Sequence, residues 1–188
     1  MRDTIETKRL KLRRLRMSDA PRVARFCGDP AVGRNLASTP LPYLEAVAEG
    51  WIMITRARAP RGRDFVFAVD LEGEGLIGVI GANKREGESF EVGYWFGRPY
   101  WGQGFATEAT RSFVVAASAL GVLEAGHFVD NPASGRVLTK AGFAYTGEVK
   151  PQFSLGRGES VASKRMRYAP GLERGFDARE AETSIDAG

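Results

Sequence analysis

Trp101-Gly102-Gln103-Gly104-Phe105-Ala106-Thr107-Glu108-Ala109 joins an alternating apolar run to the strongest helical pattern in the chain. Small residues at 102, 104 and 106 let a ligand come close to the backbone. The N–H groups of a helix's first turn have no partner inside the helix and lie at the positive end of its dipole. Gly102, Gln103, Gly104, Phe105, Ala106 and Thr107 therefore have the makings of a pyrophosphate cradle. On these residues alone, a plain tight strand-to-helix turn remains the competing reading.

Working outward, Phe65–Leu71, Leu76–Ala82 and Phe90–Phe96 are β-branched and aromatic runs. Glu72-Gly73-Glu74-Gly75 and Arg85-Glu86-Gly87-Glu88 separate them as turns, so an antiparallel meander precedes the glycine turn. Gly73-Glu74-Gly75-Leu76-Ile77-Gly78 matches G-x-G-x-x-G, but a strand pattern follows it where a dinucleotide site needs a helix. It reads as a hairpin turn. Residues 5–15 alternate, with Leu10 and Leu12 on one face and Arg9, Lys11 and Arg13 on the other. Ser18-Asp19 offers the cap of a short helix that Gly28-Asp29-Pro30 stops. A second helix is expected over roughly 43–57, with Leu44, Val47, Trp51 and Ile54 on its apolar stripe.

Beyond the glycine turn, Ala106, Ala109, Phe113, Ala116, Ala117 and Leu120 mark the helix's apolar arc, which Gly121 ends. A strand over 122–129, a helix over 132–141 and strands near 143–150 and 160–168 complete the order βααβββαβαββ.

Composition narrows the chemistry. The chain has 188 residues, a length for one domain, expected over 1–170. One cysteine, Cys27, excludes an internal disulfide and cysteine-based metal clusters, and one histidine, His127, excludes a His-rich metal site. The net charge is +4, although residues 171–188 hold five acids against two arginines. That segment reads as an acidic, flexible tail, and the basic body suits an anionic ligand. Arg9, Lys11, Arg13, Arg14 and Arg16 lack interleaved aromatics, so they read as a solvated strand face, not a nucleic-acid surface. With no apolar run of membrane-span or signal length, a cytoplasmic protein is expected.

Two separated blocks resemble a known family. One is Glu91–Phe96, Gly97-Arg98-Pro99-Tyr100 and the turn after it. The other is His127-Phe128-Val129-Asp130-Asn131-Pro132-Ala133-Ser134 continuing to Gly142-Phe143. Together they resemble the GNAT superfamily of acetyl-coenzyme A-dependent N-acetyltransferases, and within it the RimJ/RimL type that acetylates ribosomal-protein N-termini. Glu6–Arg13 is similar to that type's first strand. The resemblance implies an α/β fold: a mixed, mainly antiparallel sheet of about six or seven strands, about four flanking helices, and a splay between the fourth and fifth strands. It implies acetyl-coenzyme A as cosubstrate, no metal, a monomer or homodimer, and a primary amine as acceptor, either a peptide N-terminus or a small amine. Neither a membrane nor a nucleic acid is an expected partner. The family pattern has Gln or Arg where this chain has Trp101.

By the same resemblance, the backbone of Trp95 and Phe96 holds the thioester arm, and Glu91 is a candidate base. Glu148 is its rival, although the alignment there reaches Gln152, a poor base. Ser134 shares the i, i+3, i+4, i+7 face with Val137, Leu138 and Ala141. It is the candidate that acts on the departing sulfur; a backbone-bonding serine is the alternative. Asn131 before Pro132 is an N-cap, and in RimL-like proteins it also touches the cofactor. His127 reads as structural. Cys27 has no sequence-adjacent His and is not expected to carry an acyl group. A catalytically weak acyl-coenzyme A-binding module of the same fold is the alternative function.

Overall fold

The computed structural model describes residues 3–85 and 87–169. The acidic segment 171–188 lies outside the described residues. Eight strands form one sheet: β1 (Thr4–Glu6), β2 (Leu10–Arg14), β3 (Asp64–Leu71), β4 (Gly75–Lys84), β5 (Ser89–Phe96), β6 (Val122–Phe128), β7 (Phe143–Ser154) and β8 (Glu159–Tyr168). Their order is β1-β2-β3-β4-β5-β6-β8-β7. The helices are α1 (Ala20–Cys27), α2 (Pro30–Gly33), α3 (Glu45–Arg58), α4 (Phe105–Ala117) and α5 (Pro132–Lys140).

The expected fold class is the observed one, with two more pieces than the pattern showed. Residues 5–15 are a hairpin: Thr7 accepts from the Leu10 N–H and turns the chain, so β1 pairs antiparallel with β2. Asp29 starts α2 where the pattern showed only a stop. Its carboxylate accepts from the Ala31 N–H at 2.9 Å, with Pro30 at the first helical position. Gly73 and Gly75 turn β3 into β4, as the hairpin reading required.

The apolar stripe of α3 differs from expectation. Ala48, Ile52 and Thr55 face inward, whereas Leu44, Val47 and Ile54 are exposed. The helix begins at Glu45, so Leu44 is its extended N-cap and stands outside the helical stripe, while packing against α1 and β3 selects the Ala48–Ile52–Thr55 arc. At the start of α1, Asp19 uses its carboxylate on Arg13 and on the Arg16 N–H, not on the helix.

Apolar side chains on the two faces of the sheet build two cores. Leu12, Phe67, Ile80, Val92 and Phe96 pack under α4 and α5, with Phe113 and Leu138. Val66, Ala68 and Val79 pack under α1 and α3, with Val23, Phe26 and Ile52. The sheet is antiparallel except between β5 and β6, which run parallel. Their pairing starts at Ser89–Val122 and ends at Val92–Ala125. Beyond it, Gly93–Phe96 stays with β4 while Gly126–Phe128 stays with β8. The sheet opens into a V, and α4 and α5 begin beside its mouth.

Candidate active site

A cleft of about 660 Å³ runs through the V. One end is bordered by the α4 turn and the face of α5, and the other by Cys27, Tyr43, Trp51 and the Asn35–Thr39 segment.

The α4 turn is built by two glycines in left-handed backbone, Gly102 at φ 73° and Gly104 at φ 80°. Side-chain-bearing residues rarely adopt such values. Gly104 is the N-cap, and the first intrahelical bond runs from the Glu108 N–H to its carbonyl. The N–H groups of Phe105, Ala106 and Thr107 are thereby left without helical partners, and all three residues border the cleft. A Cβ at Gly102 would meet nothing within 4 Å, so the space above the turn is open. This arrangement fits a pyrophosphate. Gln103 is not among the residues bordering the cleft: its carboxamide donates to the Pro99 carbonyl at 2.9 Å.

Two side chains brace the turn. The Trp101 indole N–H donates to the Phe96 carbonyl at 2.7 Å, tying the end of β5 to the loop. Arg9 donates to the Gln103 carbonyl at 3.1 Å and to Glu108 at 2.7 Å, and its guanidinium lies 4.3 Å from the centre of the Phe105 ring. Burial pulls the Glu108 carboxyl upward. Hydrogen bonds from Thr7 and Arg9 outweigh it, so the group titrates below the usual carboxylate range. Arg9 had read as part of a solvated face; only the fold brings it to residue 103.

Across the cleft, Asn131 caps α5, its side-chain oxygen accepting from the Ser134 N–H at 3.2 Å. Ser134 does not cap. Its Oγ lies 2.9 Å from the Tyr94 hydroxyl, which also donates to the Ser134 carbonyl at 3.0 Å. Burial pushes the Tyr94 phenol up to about 12, only partly offset by the bond to Ser134. Tyr94 is the partner that sequence reading missed as a side chain. Its signal was period two: Tyr94 and Phe96 share a face of β5.

The remaining candidates are placed as follows. The Gly97 N–H bonds Ile77 of β4, so by strand alternation the Phe96 N–H faces the V, while the Trp95 side chain packs near Phe26. Cys27 borders the cleft but is buried, and that burial raises its thiol to about 12. His127 is buried. Its Nδ1 donates to the Phe128 carbonyl at 2.8 Å, which leaves Nε2 to pair with the Tyr145 hydroxyl at 2.9 Å. Glu148 pairs with Lys150 on the surface and does not border the cleft, whereas Gln152 does.

Glu91 is positioned differently from a free base. Arg165 Nη1 donates to its Oε1 at 2.9 Å and Nη2 to its Oε2 at 2.6 Å. Both oxygens are held by one guanidinium fork. Among the described residues Glu91 is the only acid lining the cleft.

A sheet split at its single parallel pair, with unpartnered helix N–H groups beside the split, defines a ligand-cleft fold. The chain belongs to the acetyltransferase (GNAT) domain family, whose model matches residues 9–144. It is 30% identical over 115 residues to the uncharacterized N-acetyltransferase p20 of Bacillus licheniformis, covering 60% of this chain and 64% of that protein. It is 34% identical over 95 residues to the ribosomal-protein-serine acetyltransferase of Escherichia coli, covering 48% of this chain and 52% of that one. Among solved structures, the RimJ protein of Mycobacterium smegmatis in complex with a coenzyme A disulfide superposes with a TM-score of 0.73 at 22% identity. That match covers 88% of this chain and 87% of the other.

Proposed function

We propose that the chain transfers an acetyl group from acetyl-coenzyme A directly to a primary amine, with a protein N-terminus as the acceptor class. The supporting observation is the meeting of three features in one cleft: the open glycine turn at the start of α4, the parting of β5 from β6, and the Ser134–Tyr94 pair. Similarity to a ribosomal-protein-serine acetyltransferase supports the acceptor class.

Bound acetyl-coenzyme A supplies the acetyl group as a thioester. In this reading, Gly102–Thr107 hold its pyrophosphate through backbone N–H groups. The Phe96 N–H polarises the carbonyl under attack. As the sulfur leaves, the Ser134 hydroxyl turns from Tyr94 and the Tyr94 phenol from the Ser134 carbonyl, and each donates its one hydrogen bond to the sulfur. A phenol near 12 is a far weaker acid than an ordinary thiol, so Tyr94 keeps its proton and acts as a donor only. With Glu91 held by Arg165, the acceptor arrives as the free amine, and its proton ends on the departing thiol. No net proton is gained or lost.

The occupied state of Glu91 is also the observation that favours the second reading, a weakly active acyl-coenzyme A-binding module. Incubation with labelled acetyl-coenzyme A and a panel of peptides and small amines separates the two. Label on the peptide α-amine matched one-to-one by released thiol is expected. Coenzyme A binding without transfer to any amine establishes the module instead.

A further inference from the structure

Glu91 and Arg165 stand at the apex of the V. Glu91 lies opposite Glu124 in the β5–β6 ladder, one pair before that ladder ends at Val92–Ala125. Arg165 lies on β8, opposite Gly126 of β6. To reach Glu91 its side chain must cross β6, and Gly126 is where it crosses. A Cβ built there would sit 2.6 Å from Arg165 Nη1 and 3.3 Å from its Cζ. Gly126 is a notch that lets a guanidinium lie across the strand. The fork it forms ties β8 to β5 over β6, immediately before β5 and β6 separate.

Each part serves that crossing. The two side chains are 18% and 22% exposed, so the pair is largely shielded from water and is screened less than a surface ion pair. Arg85 approaches Glu91 only to 3.9 Å, from an exposed position. Glu124, the like-charged neighbour, is engaged by Arg167 at 3.0 Å. Three residues beyond Glu91 along β5 is Tyr94, and five beyond is Phe96, whose backbone faces the V.

We propose that Glu91, Arg165 and Gly126 form a strap that fixes where β5 and β6 part. The strap sets the aperture that receives the thioester arm, which makes Glu91 a positioning residue and not the base. The proposal rests on the acetyl-coenzyme A reading above. A base and a strap respond oppositely to the same set of variants. Loss of a general base removes roughly 10²–10⁴-fold of kcat and shifts the pH profile. Loss of a strap misplaces the ligand, whichever of its three parts is changed.

Gly126→Ala is the decisive variant because it touches neither charge. Gly126 has ordinary strand backbone, so alanine fits the chain; its Cβ displaces the flexible end of Arg165 and meets one other group, the Ser163 hydroxyl at 3.0 Å. Coenzyme A affinity is measured by calorimetry, with melting temperature and the pH–rate profile, for Gly126→Ala, Arg165→Met and Glu91→Gln. Gly126→Ala and Arg165→Met are expected to weaken coenzyme A about 10-fold and to leave the pH midpoint where it is. Glu91→Gln, which keeps one acceptor oxygen for Arg165, is expected to be milder than Arg165→Met. Wild-type affinity in Gly126→Ala and Arg165→Met overturns the strap, even with a lowered melting temperature. So does a Glu91→Gln protein that binds coenzyme A normally but has lost turnover. Failure of the wild-type protein to bind coenzyme A refutes the underlying reading instead, so the two failures are distinct.

Discussion

Ser134 and Tyr94 are a hydroxyl pair in the cleft lining, 2.9 Å apart, and the Tyr94 phenol also ties β5 to α5 through the Ser134 carbonyl. If both donate to the sulfur, removing one leaves the other in place. Ser134→Ala and Tyr94→Phe are each expected to lower kcat by roughly 10–100-fold, at or below the lower end of general-acid effects. KM for acetyl-coenzyme A should change little, because the lost bond strengthens as charge develops on the sulfur. Single-turnover kinetics check this, and an unchanged rate of chemistry in both variants counts against the assignment. Cys27 makes the opposite case. A thiol that burial holds near 12 is protonated throughout the neutral range and is a poor nucleophile. Cys27→Ala should retain near-normal transfer, and intact-mass measurement during turnover should find no acetyl group on Cys27.

At the scale of the element, the α4 turn depends on backbone conformation more than on side-chain identity. Gly104→Val forces a β-branched residue into φ 80° and points it toward Arg9, 3.5 Å from the built Cβ. Coenzyme A affinity in a folded Gly104→Val protein is expected to fall at least 10-fold by calorimetry, with Gly50→Ala, at an open helical position, as the control. The turn was legible in the sequence because spacing, small residues and the following 3.6-residue period all agree there. Asn131 was legible for the same reason, since a cap and a proline are local signals. The inner face of α3 was not: its apolar residues are spread around the helix, and which arc faces inward was decided by packing against α1 and β3. Arg9 and Arg165 were illegible in a different way. Each bonds a group more than 70 positions away, Arg9 from the β1–β2 turn to the α4 turn and Arg165 across β6 to β5, and a lone arginine in the sequence carries no mark of that partner.

At the scale of the molecule, the cleft lining carries Arg85, Arg136, Lys140 and Arg165 against Glu91 alone, an electropositive channel within a chain of net charge +4. With no unpaired acid lining it among the described residues, the acceptor's own ionisation should govern the pH profile. Transfer to a peptide α-amine is expected to rise with pH and level off near 8, and transfer to a lysine-type amine to keep rising toward about 10. A plateau reached well below the acceptor's own value would reveal a base that this arrangement lacks. In the proposed function one cleft binds coenzyme A from the α4 turn to the Ser134–Tyr94 pair. The structure of the coenzyme A complex tests it most directly. Pyrophosphate oxygens are expected within hydrogen-bond reach of backbone N–H groups in Gly102–Thr107, and the sulfur near Ser134 Oγ and Tyr94 Oη. A pyrophosphate bound elsewhere, or a sulfur remote from both hydroxyls with no bridging water, would contradict it.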